Sequence, residues 1–231
     1  MRLADDTEKT GSEIPLRSSL LGRVAASLWF LVLTALFARG LVAMLMATPT
    51  GGTSFSDWSA VLSRCCMVIF FVTLGWLMMS RPAASARRDG AIPTIIAFSG
   101  TYVVWLIPFL PAGHISPTLQ MVSACISLAG SLSSIYAVRH LGKSFSIMPQ
   151  ARKLVIGGPY RFIRHPLYVA EELAVIGVLL QCDWYAAALF LTLHVALQVQ
   201  RMNYEESLLC TVFPDYEAYA RRTARLIPGV W

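Results

Sequence analysis

An all-α protein that crosses a membrane several times is what this sequence predicts, and three observations lead there. Of its 231 residues 56% are hydrophobic and only 14% charged, with a mean hydropathy of +0.59, whereas soluble domains carry about 25% charged residues. Apolar runs recur at the length of roughly 20 residues that a helix needs to cross a hydrocarbon core. Basic residues gather in alternate connections between those runs. Fifteen Gly and twelve Pro are ordinary amounts, no repeat of solenoid length is visible, and the whole chain reads as a single membrane domain over 1–231.

Taken in order, the runs 22–46, 58–79, 91–110 and 117–138 are full-length spans. The shorter runs 166–180 and 184–199 are separated only by Gln181-Cys182-Asp183 and read as a C-terminal helical hairpin. That makes about six transmembrane helices, with a further cytosolic helix after the last. All of the 19 Lys and Arg residues except Arg39 and Arg64 fall in the N-terminal tail, the second and fourth connections and the C-terminal tail. Since cytosolic connections carry the excess of Lys and Arg, both termini are expected in the cytosol, and the net charge of +6 reads as topology rather than as a nucleic-acid footprint. Arg39 and Arg64 lie in the outward halves of the first two spans, with Asp57 as a candidate partner. The charged N-terminus and the length of the first run argue for a retained span rather than a cleaved signal. Five cysteines show no metal-type spacing, so neither a disulfide nor a zinc site is expected.

Side chains capable of chemistry concentrate after Val138, in two clusters. The first is Gly157-Gly158-Pro159-Tyr160-Arg161-Phe162-Ile163-Arg164-His165-Pro166-Leu167-Tyr168-Val169-Ala170-Glu171-Glu172. Gly-Gly-Pro marks a turn, and a residue before proline avoids the α region while proline suits the first helical position, so His165 should cap a helix that begins at Pro166. Its free N–H groups and positive dipole end make an anion site, flanked by Arg164 and His165 with Tyr168 one turn in. Glu171 and Glu172 are adjacent carboxylates inside an apolar segment, which are costly unless paired. The second cluster, Arg201-Met202-Asn203-Tyr204-Glu205-Glu206, should continue the last span as helix. Arg201 and Glu205 then stand at i and i+4 and can pair, leaving Glu206 pointing elsewhere. His194, alone among apolar residues, reads as a packed or interhelical hydrogen-bonding side chain. The sequence holds no phosphate-binding G-x-x-x-x-G-K, no G-x-G-x-x-G after a strand and no hydrolase G-x-S-x-G, which argues against the usual soluble cofactor folds and the serine hydrolases.

Two linked blocks resemble the isoprenylcysteine carboxyl methyltransferase and phospholipid methyltransferase superfamily of membrane enzymes. They are Leu141-Gly142-Lys143-Ser144-Phe145 with Gly158 to Tyr168, and Arg201 with Glu205-Glu206 followed by Phe213, Tyr216, Tyr219 and Arg225-Leu226-Ile227-Pro228. The resemblance covers 117–231 and implies a methyltransferase core there, with 1–116 as scaffold spans. It implies S-adenosylmethionine as methyl donor, leaving as S-adenosylhomocysteine, at the cytosolic membrane face, and a lipidic acceptor entering from the bilayer. By the same resemblance His165, Pro166, Tyr168, Glu205, Tyr160 and Arg164 would hold the cofactor. Arg201 and Glu206 would serve the acceptor, although which glutamate takes which role stays open. The carboxylate of an isoprenylated cysteine leads as acceptor, a phospholipid amine or a small thiol follow, and the first block also resembles NADPH-dependent sterol reductases.

Overall fold

The computed structural model describes residues 16–47, 55–80, 82, 84, 86–87, 90–147 and 150–229. Expectations that fall on residues 1–15, and on Arg81 and Arg88, lie outside them. The architecture is all-α. In chain order the helices are α1 (Leu16–Ala47), α2 (Phe55–Ser80), α3 (Ala91–Tyr102), α4 (Pro117–Leu141), α5 (Pro166–Leu179), α6 (Trp184–Val212) and the short α7 (Tyr216–Ala220). A 3-10 stretch, Val103–Phe109, extends α3 and contains Pro108, whose missing N–H removes one bond from the α ladder. Two-residue strands, β1 (Ala86–Arg87) and β2 (Gln150–Ala151), pair antiparallel and tie the second connection to the fourth.

Among the described residues three helical stretches are long and apolar enough to cross a membrane: Leu20–Met46, Ala91–Phe109 and Pro117–Ser144. Arg64–Ser80, within α2, is a shorter apolar stretch. The α5 helix has 14 residues, about 21 Å at 1.5 Å per residue, and so falls short of a hydrocarbon core about 30 Å thick. Large apolar side chains such as Leu31, Leu36, Trp76 and Leu189 face outward and are exposed, as a lipid solvent permits. The Arg64 guanidinium lies against Gly40, where an added Cβ would come within 2.8 Å of Nη1, while Arg39 is exposed.

One core cluster joins Phe30 and Leu33 of α1 and Phe71, Leu74, Leu77 and Met78 of α2 to Ala137 and Val138 of α4 and Leu167 of α5. Between α4 and α5 the packing is of another kind, built on small residues. A Cβ at Gly130 would collide with the backbone of Ala174, and one at Gly177 with Ser127. Where backbones come that close, polar groups can bond across the seam: the Ser123 hydroxyl donates to the Gly177 carbonyl (2.7 Å) and accepts from the Gln181 amide (2.7 Å).

The third and fifth connections meet at one end of the bundle, where the Gly113 N–H donates to the Gln181 carbonyl (3.0 Å) and the Asp183 N–H to the Pro111 carbonyl (2.8 Å). Asp183 caps α6 by accepting from the N–H groups of Tyr185 and Ala186, which closes the hairpin the sequence predicts. Both chemical clusters therefore come to the opposite end, together with the basic connections.

Candidate functional site

Assembly of the site begins with two glycines in the fourth connection. Gly142 (φ 53°) ends α4, and Gly158 (φ 59°) turns the chain where a Cβ would strike the His140 ring; both conformations favour a residue without a side chain. A 3-10 turn, Gly158–Arg161, then leads to His165, the N-cap of α5 with Pro166 in its first turn, as the pre-proline rule predicts.

The chain's C-terminal segment holds this loop in place. The N–H groups of Arg164 and His165 donate to the carbonyls of Ala224 (2.8 Å) and Arg225 (3.2 Å), and the Ala224 N–H donates to Phe162 (3.3 Å). Arg164 Nη1 donates to the carbonyls of Ala220 and Thr223, each at 2.6 Å. The Tyr219 hydroxyl donates to the Tyr160 carbonyl at 2.7 Å.

At the centre is Glu206. Its Oε1 accepts from Arg164 Nε (2.9 Å), lies 3.0 Å from His165 Nε2 and 3.4 Å from Arg225 Nε, and Arg225 Nη2 donates to Asn203 (2.6 Å). Partial burial alone would raise this carboxyl, but the hydrogen bonds and positive charge of His165, Arg164 and Arg225 outweigh it and hold the group down at about 2. The consequence for pH has a definite sign. A carboxylate with a lowered pKa stabilises the folded protein at every pH above its unfolded value of about 4.3 and loses that contribution as pH falls towards the folded value. Melting temperature is therefore expected to hold between neutrality and pH 5 and to drop steeply below about pH 4 in wild type, with a shallower drop in Glu206→Gln.

Glu205, on the neighbouring face of α6, accepts from the Tyr168 hydroxyl at 2.5 Å. Arg201 is buried, with its guanidinium 5.1 Å from the Tyr168 ring centroid and its Nη1 donating to Gln198 at 2.9 Å. The i,i+4 pair expected between Arg201 and Glu205 does not form, and the roles of the two glutamates are exchanged. Glu206 is the paired carboxylate, contacted by two arginines and a histidine, and Glu205 is the one that borders the cavity. Tertiary packing decides this, because the loop before α5 and the C-terminal segment bring Arg164, His165 and Arg225 to the Glu206 face of α6.

The cavity, of about 620 Å³, is bordered by Tyr160, Arg164, His165, Tyr168, Arg201 and Glu205 of the expected residues, while Pro166 and Glu206 stand behind them. A volume of this order suits a sizeable organic ligand. Glu171 and His194 also border it, as do Phe30, Leu33, Phe71, Leu74, Gly100 and Trp105 of the N-terminal helices, so the spans expected as scaffold take part in the site. His194 is buried, as the packed reading expects, and its Nδ1 lies 2.8 Å from Glu172 Oε1. Gln198 and Gly100 carried no signal, being a lone amide and a lone glycine in apolar helices.

A carboxylate held by a tyrosine hydroxyl, beside that tyrosine's own ring, matches a molecule that carries an ammonium group and a further positive centre. S-adenosylmethionine is such a molecule, and the residues present fit it.

Fold and site together define an all-α membrane protein with a polar chamber at one end of an apolar cavity. Residues 121–211 match the family described as the isoprenylcysteine carboxyl methyltransferase (ICMT) family, which bears out the resemblance read from the sequence over that stretch. The chain is also similar to the cobalt-zinc-cadmium resistance protein CzcN of Cupriavidus metallidurans, at 37% identity over 32% of this chain and 35% of that protein. With the nickel-cobalt-cadmium resistance protein NccN of Alcaligenes xylosoxydans xylosoxydans it shares 35% identity over 34% of this chain and 38% of the relative. The chain thus matches little more than a third of the length of these curated relatives.

Proposed function

We propose that this protein is an integral membrane methyltransferase that uses S-adenosylmethionine and methylates a lipidic acceptor, with the carboxylate of an isoprenylated cysteine as the best-matched group. The carrying observation is the composition of one cavity, in which Tyr168, Arg201 and Glu205 supply a polar wall and aromatic and aliphatic side chains of α1 and α2 supply an apolar one. When bound, the cofactor presents a methyl group on a sulfonium and leaves as the neutral thioether. Glu205, oriented by the Tyr168 hydroxyl, would take its amino group, while His165 and Tyr160 shape the chamber beside it. Arg201 would aim an acceptor carboxylate at the methyl carbon; an ionised carboxylate needs no general base, so alignment and exclusion of water carry the rate. Glu206 would act indirectly, by fixing Arg164 and His165.

The same end of the bundle gathers the basic connections, which supports a cytosolic site with both termini on that side. The relatives' names concern resistance to cobalt, zinc, nickel and cadmium; among the described residues no group of three His, Cys, Asp or Glu side chains could hold a metal ion. A reductase would want cations reserved for the 2′-phosphate of NADPH. Of those near the cavity, Arg152 is engaged with the Pro82 carbonyl and the Gln150 side chain.

Thermal unfolding of the detergent-purified protein tests the proposal. S-adenosylhomocysteine should raise the melting temperature and NADPH should not, since only a ligand of the folded state shifts the transition. Tyr168→Phe removes the hydrogen bond to Glu205 and should weaken S-adenosylhomocysteine binding by about tenfold while the protein stays folded. A shift with NADPH alone would replace this reading by a reductase.

A further inference from the structure

Arg201 is a buried guanidinium whose surroundings satisfy it only in part. Its ring-facing plane rests over Tyr168 at 5.1 Å and its Nη1 donates to Gln198 Oε1 at 2.9 Å, yet Nε has no hydrogen-bond partner. The countercharge arrives through an intermediary: Gln198 Nε2 donates to Glu171 Oε2 at 3.1 Å. A carboxamide can serve both neighbours in only one orientation, with its oxygen towards the cation and its NH2 towards the carboxylate, so the two charged ends fix the amide and the amide fixes the arginine. Space is fixed as well, because a Cβ on Gly100 of α3 would come within 2.5 Å of Arg201 Cδ. A direct bidentate pair with a carboxylate would consume the fork of N–H donors. The indirect one compensates the charge and leaves the buried Nε, on a side chain that lines the cavity, without a protein partner.

We propose that Glu171 and Gln198 are positioning residues that, with the gap at Gly100, hold Arg201 ready for the acceptor's carboxylate, and so set acceptor affinity without touching the cofactor. This rests on the methyltransferase reading above and extends it to α3, outside the family-matched stretch 121–211. A supporting shell of this kind governs how tightly a site grips its ligand.

The test uses the full-length protein in detergent, with N-acetyl-S-farnesylcysteine as acceptor probe and S-adenosylhomocysteine binding measured in parallel. Gln198→Ala and Glu171→Ala should raise KM for the probe by about tenfold, the scale of one lost charge-assisted hydrogen bond, with S-adenosylhomocysteine affinity unchanged. Gly100→Ala should raise the same KM. Glu171→Gln, which still offers an oxygen to Gln198, should recover most of the loss, and its comparison with Glu171→Ala decides the matter if Gln198→Ala does not fold. An unchanged KM in the alanine variants, or a parallel fall in cofactor affinity that marks a general structural role, would overturn the inference. Wild-type protein that binds S-adenosylhomocysteine but never methylates the probe would also overturn it and leave the methyltransferase reading standing. Wild-type protein that binds no S-adenosylhomocysteine removes that reading itself.

Discussion

Glu206→Ala is expected to be the most damaging single change at the site, lowering stability by about 3 kcal/mol or more and abolishing S-adenosylhomocysteine binding. One oxygen of Glu206 gathers Arg164 at 2.9 Å, His165 at 3.0 Å and Arg225 at 3.4 Å, and the Arg164 and Arg225 side chains are only 15% and 10% exposed. Removing the carboxylate leaves their positive charge clustered with little water to solvate it, a cost larger than the net worth of any one of the pairs. Damage should also spread along the chain. Arg164 clamps the carbonyls of Ala220 and Thr223, and its backbone pairs with Ala224, so the C-terminal segment should loosen from the start of α5. Hydrogen exchange would report this as lost protection at Arg164 and His165, whose N–H groups it binds. Glu206→Gln keeps an oxygen for His165 and Arg164 and should fall between wild type and alanine; equal melting temperatures for wild type and Glu206→Ala would remove the carboxylate from its central place.

The second large effect is expected between α4 and α5. At Gly130 a methyl group would meet the backbone of Ala174, and at Gly177 the backbone and hydroxyl of Ser127. Neither neighbour is the far end of a flexible side chain, so the helices themselves must separate. Overpacking of this kind costs about 1–3 kcal/mol, and here it also stretches the Ser123 bond to the Gly177 carbonyl, which has no water to turn to within the bilayer. Gly177→Val should therefore unfold at a markedly lower temperature than wild type, and Gly130→Ala at an intermediate one. Gly22 serves as control, since a Cβ there meets nothing within 4 Å; Gly22→Ala should be neutral or slightly stabilising by helix propensity. Because α5 carries Tyr168, the seam variants should also bind S-adenosylhomocysteine less tightly, in proportion to the separation.

Much of this molecule follows from local rules. Apolar run length and the placement of Lys and Arg determined an all-α membrane fold, the hairpin across Gln181-Cys182-Asp183 follows from two runs with too few residues between them for any other path, and the helix start at Pro166 follows from proline's fixed φ. The two chemical clusters were legible because charged side chains are scarce in such a chain and these stand together. What tertiary structure alone decided is the direction of each side chain on a shared helix. Glu205 and Glu206 are adjacent carboxylates of identical chemistry on α6; the cations of the loop before α5 and of the C-terminal segment determine that Glu206 is the anchored one and that Glu205 faces the cavity. Arg201 could have taken Glu205 one turn away, and takes Gln198 because Tyr168 and Gly100 from other helices shape the space it occupies. Sequence spacing states which residues can meet along one helix. Which of them do meet depends on charges and gaps supplied by helices tens of residues away, and those enter only when the chain packs.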